Sequence, residues 1–395
     1  MRKSFLLQLY LLLIPIVCVT TNVIYAQPYS PDKSLDTLFE HRIAQKQIAG
    51  AVCLISEKGK TIYRKSFGYR NLEKGLPMQT ETYFRLQSMI KPIITLAILK
   101  LVQQGKIKLD DAAFKYFPEL SDKKVGVKKD GVIEYISASR PITLRDLLSH
   151  SSGLGSSWNA GDLKSFYEKF ENTAFASFKD SVEANMKLPL IDQPGNSWHY
   201  GWGHNIMAYL IEKVTGIPYK EYLLIEIFRP LKMNHTTFQL LKGDENKLAQ
   251  YYTLTNAQYK KTLKDSSYTG GYDLMSTADD YYKFCLLLLN KGNINGKVFV
   301  RSDLIKEFIT PVVGLNGVEI PWYKGYAFAL GVSVRVNEDK TDFKGSLGDF
   351  GWVGYFNTAF WVDPKKQLIV IVLSQAYHNN YQLSKDVKNI VYTFL

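Results

Sequence analysis

Two strand pairs at opposite ends of the chain, with helical patterns between them, constrain this sequence most. Near the start, Ala51-Val-Cys-Leu-Ile-Ser56 and Thr61-Ile-Tyr-Arg-Lys-Ser-Phe67 flank Glu57-Lys58-Gly59-Lys60, a hairpin signal. Near the end, Tyr355–Val362 and Gln367–Ser374 read as strands on either side of the turn Asp363-Pro364-Lys365-Lys366. Helical spacing marks Ser34–Gln47, with Leu35, Leu38, Phe39 and Ile43 on one face. His204–Val214 and a closing stretch, Ser384–Leu395, read the same way. Hairpins from both ends can share one sheet. The predicted fold class is therefore α/β (α+β): an antiparallel sheet from both chain ends, flanked by helices, with an inserted mainly helical lobe. The α/β lobe is expected at about 27–115 and 270–395, the helical lobe at about 116–269. A cleft between the lobes is the natural place for a site.

The first residues predict export. Arg2 and Lys3 precede an apolar run from Phe5 to Val19, and Ala26 is a plausible last residue before cleavage. This reads as a signal peptide over 1–26, too short and wrongly flanked for a stable membrane span. Cys18 follows Pro15-Ile16-Val17, a poor match to a lipidation site. A periplasmic or secreted protein, residues 27–395, is the expectation. Cys53 and Cys285 lie in apolar runs and read as buried thiols, not a disulfide framework. The formal net charge is +12, but the lysines are scattered and no basic-aromatic module is present. Nucleic acid is not an expected partner. The oligomeric state cannot be read from the sequence.

The chemistry centres on a short stretch. Ser-x-x-Lys occurs at Ser30–Lys33, Ser88–Lys91 and Ser121–Lys124. The first lies near the cleaved end and the third in a lysine-rich polar segment. Only Ser88 opens a long apolar helix, Ile90–Val102, ended by Gln103-Gln104-Gly105. Three residues apart on a helix, Ser88 and Lys91 share a face. A helix N-terminus has unpaired N–H groups that suit a developing oxyanion. Burial disfavours an ammonium, so a neutral Lys91 could accept the Ser88 proton. The spacing alone fits a capping serine and a snorkelling lysine equally well.

Phe84-Arg-Leu-Gln-Ser-Met-Ile-Lys-Pro92 resembles the nucleophile motif of the serine β-lactamase and penicillin-binding-protein superfamily. Ile142-Thr-Leu-Arg-Asp-Leu-Leu-Ser-His-Ser-Ser-Gly-Leu154 and Gly270-Gly271-Tyr-Asp-Leu-Met-Ser-Thr-Ala-Asp-Asp-Tyr281 look like further landmarks of it, in the family's order. The class C-like branch, with its esterases, looks closest. The resemblance implies a catalytic tyrosine after a Pro-Gly turn, and Tyr200 in Gln193-Pro-Gly-Asn-Ser-Trp-His-Tyr200-Gly-Trp202 matches it. Gly201 and Trp202 stand where the branch has serine and asparagine. The resemblance also implies a motif on the strand bordering the cleft. Trp352-Val353-Gly354 looks like the Trp-Gly-Gly variant of esterase-type relatives, with Asp349-Phe350-Gly351 as another register. A backbone N–H from this strand would complete the oxyanion hole with that of Ser88.

The implied catalytic residues are Ser88, Lys91 and Tyr200, with Trp202, Trp352, Val353 and Gly354 in substrate binding. No metal or other cofactor is expected, since the six histidines form no His-Glu-x-x-His pattern. His199 and His204 read as local polar contacts and His150-Ser-Ser-Gly153 as a structural turn. The expected reaction is cleavage of esters or related small acyl compounds through an acyl-enzyme. The substrate would be a small molecule or related to peptidoglycan. A D-alanyl-D-alanine carboxypeptidase or D-aminopeptidase, a β-lactamase and a non-catalytic binding relative stay open as alternatives.

Overall fold

The computed structural model describes residues 31–255, 258–261, 273–313, 320, 323–376 and 381–395. The expected signal segment, Ser30, and the Gly270-Gly271-Tyr272 start of one landmark lie outside them. From the first part of the chain come Gly50–Glu57 (β1), Lys60–Asn71 (β2) and Leu76–Pro77 (β3). From the last part come Tyr326–Phe328 (β4), Ser333–Arg335 (β5), Phe350–Gly354 (β6), Thr358–Asp363 (β7) and Leu368–Ser374 (β8). They form one antiparallel eight-stranded sheet in the order β4-β5-β6-β7-β8-β1-β2-β3. The seam between the two chain ends is β1 on β8, with Ala51 opposite Ser374 and Glu57 opposite Leu368.

Both seam strands are near-continuous apolar runs because both sheet faces are covered. Successive side chains alternate between faces. Ala51, Cys53, Ile55, Val370 and Val372 pack with Leu35 and Phe39 of helix Pro31–Ala44 (α1) and Val387 and Val391 of helix Gln382–Phe394 (α6). Val52, Leu54, Ile369, Ile371 and Leu373 face the larger core. That core includes helices Ile90–Gln103 (α2), Phe178–Met186 (α3), Gly203–Thr215 (α4) and Ala278–Leu289 (α5). Cys53 and Cys285 are free and buried. Among the described residues no helix is long and apolar enough to cross a membrane.

One local expectation needs correction. Tyr355–Asn357 is not strand but the turn between β6 and β7; the Asn357 N–H donates to the Gly354 carbonyl at 3.1 Å, with φ of 65° at Asn357. The aromatic pair Tyr355-Phe356 mimics a strand, but an asparagine tolerates the left-handed backbone that closes the turn. Within the mainly helical stretch, Lys124–Lys129 and Val132–Ser137 pair as a hairpin. Asp130 and Gly131 turn it, both at positive φ, as a two-residue hairpin loop requires.

Candidate active site

Ser88 lies in a single tight turn, Gln87–Met89, that runs into α2. Three ties hold that turn. The Leu86 N–H donates to the Leu274 carbonyl at 2.9 Å. The Thr358 hydroxyl donates to the Leu86 carbonyl at 3.2 Å. The Tyr281 hydroxyl, from α5, donates to the Met89 carbonyl at 2.9 Å. Gln87 has φ of 51°. For a non-glycine residue that conformation costs on the order of 1 kcal/mol and persists only where the surroundings impose it.

The structure brings Ser88, Lys91 and Tyr200 together. Lys91 Nζ is 3.3 Å from Ser88 Oγ and 4.6 Å from the centre of the Tyr200 ring. Tyr200 Oη donates to Ser88 Oγ at 2.7 Å. Lys91 is 1% exposed, whereas Ser88 and Tyr200 are partly open. Burial pushes the Lys91 ammonium well below the usual lysine range. Burial also pushes the Tyr200 phenol up, outweighing the opposing hydrogen bond to Ser88. The phenol therefore stays protonated and acts as a donor, and the lysine is the group able to take a proton. The Trp352 indole N–H also favours the phenolate, less than Ser88 does, although it has no hydrogen-bond partner.

Strand β6 borders this group. Its inner side pairs with β7 through Gly354–Thr358, but its outer side pairs with β5 only at Phe350 and Gly351. The Trp352–Gly354 backbone edge is thus open beyond Gly351, beside the Ser88 turn. Gly354 is required by close approach: a Cβ there would sit 2.3 Å from the Leu86 carbonyl oxygen and 2.2 Å from Thr358 Oγ1. Trp352 is buried between Phe328 and Tyr200, at ring distances of 4.9 and 5.7 Å. Val353 is buried and points to the opposite face, so only its backbone can serve a substrate. Trp202 caps α4 and meets Phe170 edge to face at 4.9 Å.

The residues around Tyr200 include one that the sequence did not single out. His150 packs on the Tyr200 ring at 4.5 Å, and His204 lies 5.0 Å behind it. Nothing in His-Ser-Ser-Gly sets this apart from a turn; only its distance from Tyr200 in space does. Among the described residues no group of three or more His, Cys, Asp or Glu side chains is placed to hold a metal.

Comparisons with known proteins identify the family. The Beta-lactamase family pattern matches residues 35–391. Protein Rv1367c of Mycobacterium tuberculosis is 28% identical over 349 residues, 83% of this chain and 86% of its own length. Esterase EstB of Burkholderia gladioli is 30% identical over 210 residues, covering 52% of this chain and 50% of EstB. The solved structure of EstCE1, a hydrolase with promiscuous acyltransferase activity, superposes with a TM-score of 0.77. It is 22% identical and covers 92% of this chain and 98% of EstCE1. With a match that spans nearly the whole described sheet and the Ser88 helix, the chain belongs to the β-lactamase family.

Proposed function

We propose that this protein is an exported serine hydrolase that cleaves esters or related small acyl compounds through an acyl-enzyme on Ser88. The observation that carries the proposal is the line Tyr200 Oη, Ser88 Oγ, Lys91 Nζ, with the lysine buried and its ammonium disfavoured. Ser88 Oγ bonds to the acyl carbon as its proton passes to the neutral amine of Lys91. The Ser88 N–H and an N–H of the open β6 edge receive the carbonyl oxygen. The carbon–oxygen bond to the leaving alcohol breaks, and the proton returns to that oxygen from Lys91 through Tyr200. Water then attacks the acyl carbon, gives up its proton to the same groups, and Ser88 leaves as the alcohol.

Esters are favoured by the walls of the site. Trp352, packed between Phe328 and Tyr200, supplies no cation where one would meet a β-lactam carboxylate. Trp202 offers one indole N–H where an asparagine would offer a whole amide. The lost charge-assisted contact costs about 1.5–3 kcal/mol, roughly 10- to 100-fold, and the lost neutral one about 0.5–1.5 kcal/mol. Small esters need neither contact. Comparing kcat/KM for short-chain p-nitrophenyl esters with that for a chromogenic cephalosporin, against a Ser88→Ala blank, tests this. The esters should win by about tenfold or more; a tenfold advantage for the cephalosporin overturns the ester preference. Export is supported by the N-terminal pattern, and the mature protein recovered from a bacterial host should begin at Gln27. Recovery of the intact chain from the cytoplasm would refute export.

A further inference from the structure

Three backbone groups around Tyr200 are met by one segment, 150–159. The His199 N–H donates to the His150 carbonyl at 2.8 Å. The Gly201 N–H donates to His150 Nδ1 at 3.3 Å. Ser156 Oγ and Asn159 Nδ2 donate to the Tyr200 carbonyl at 3.1 and 2.9 Å. A Cβ on Gly201 would sit 2.3 Å from the Gly155 carbonyl oxygen, so the two segments touch backbone to backbone. His150 accepts from both sides of the tyrosine. It can do so because φ of 58° turns its carbonyl and its ring toward the same loop.

The ring itself completes the contact. It lies 4.5 Å from the Tyr200 ring at 44° and is backed by Phe328 at 5.3 Å. His150 is 1% exposed. An imidazole whose Nδ1 accepts a hydrogen bond carries its proton on Nε2 and is neutral. Burial, then His204 and Lys91, push its protonation well below the ordinary histidine range, which keeps that acceptor available.

We propose that His150 is a positioning residue for Tyr200: a neutral imidazole that clamps the peptide units on both sides of the tyrosine and packs on its ring, keeping Oη on Ser88 Oγ. This rests on the proton-relay role proposed for Tyr200. Small displacements of a reacting group matter; about 1 Å can cost roughly 100-fold.

The test uses the rate at which a fluorophosphonate labels the full-length protein at Ser88. His150→Asn tolerates the left-handed backbone and places Oδ1 at the same bond count from Cβ as Nδ1. His150→Leu keeps bulk but offers no acceptor. Leu should slow labelling by roughly 10- to 100-fold, and Asn should recover most of the loss. In a Tyr200→Phe background the Leu change should cost less than about threefold, because residues acting as a unit are not additive. Equal losses in Asn and Leu, or an undiminished Leu loss without the phenol, would reduce His150 to packing and overturn the proposal. Should the Leu variant fail to fold, His150→Gly, free of backbone strain, takes its place beside Asn with the same expectations. Tyr200→Phe separates the two readings. Wild-type labelling in that variant removes the relay role itself, while slow labelling there with a fast His150→Leu removes only the clamp.

Discussion

At the scale of single residues, Lys91 trades stability for reactivity. The folded protein holds its ammonium well below the unfolded lysine value of about 10.4. Between those two values the unfolded chain binds the extra proton, so stability falls as pH is lowered through that window. Lys91→Met removes this cost. Its Tm should exceed the wild-type Tm, and the gap should widen as pH drops from about 10.4 toward the folded value and then level off. Calorimetry over that range checks it; a less stable Met variant at neutral pH would contradict the assignment. The same substitution should lower acylation by roughly 100-fold or more, as should Tyr200→Phe. The double variant should be little worse than the worse single, because both handle one proton. Wild-type acylation should fade on the acid side as Lys91 protonates. Ser88 and Lys91 were legible in the sequence because an apolar helix makes a lysine near its mouth conspicuous. His150 was not, since a turn motif carries no mark of the tyrosine it meets across the fold.

At the scale of elements, the site depends on β6 lying against the Ser88 turn. Gly354→Ala would place a methyl group 2.3 Å from the Leu86 carbonyl. Either the strand or the turn must move. The variant should lose kcat by roughly 10-fold or more while KM changes less, since donors aimed at the oxyanion serve the transition state. It should also lose about 1–3 kcal/mol of stability in urea titration, the usual scale of overpacking. Unchanged kcat would separate this strand from the oxyanion. Sequence patterns located the helix Ile90–Gln103 to within a residue at its end, because its apolar run is long and its stop is sharp. They failed where the signal was short. Asp130-Gly131 is a strong hairpin turn, but the lysines around it read as solvated surface, and a two-stranded ribbon needs few apolar residues. For the cleft strand two triplets, Trp352-Val353-Gly354 and Asp349-Phe350-Gly351, fitted the motif; the strand itself runs Phe350–Gly354, with Gly351 opposite Trp361 and Gly354 opposite Thr358.

At the scale of the molecule, the sheet joins chain ends that lie far apart in sequence, and a buried ion pair holds α6 on the C-terminal strands of that sheet. Lys388 Nζ donates to Asp349 Oδ1 at 2.7 Å and to Tyr326 Oη at 2.9 Å. Lys388 and Asp349 are 5% and 0% exposed. Removing one partner of a buried pair leaves a charge with no counterion. Asp349→Asn should therefore cost about 3 kcal/mol, limited because an unpaired Lys388 can shed its proton. Chemical denaturation measures this, and a cost below about 0.5 kcal/mol would show that the pair contributes little. The joining of both ends was legible because alternating or continuous apolar strands at each end need partners. The Lys388–Asp349 contact was not, since neither residue sits in a pattern that names the other.

The nucleophile itself is the most direct point of test. Intact-mass measurement of the purified protein after brief exposure to a fluorophosphonate, followed by peptide mapping, asks whether Ser88 is the nucleophile. One adduct per chain, mapped to Ser88, suppressed in Ser88→Ala and slowed in Lys91→Met, is the expected result. An adduct on Ser121, or none under conditions where the protein is folded, would contradict a nucleophilic Ser88.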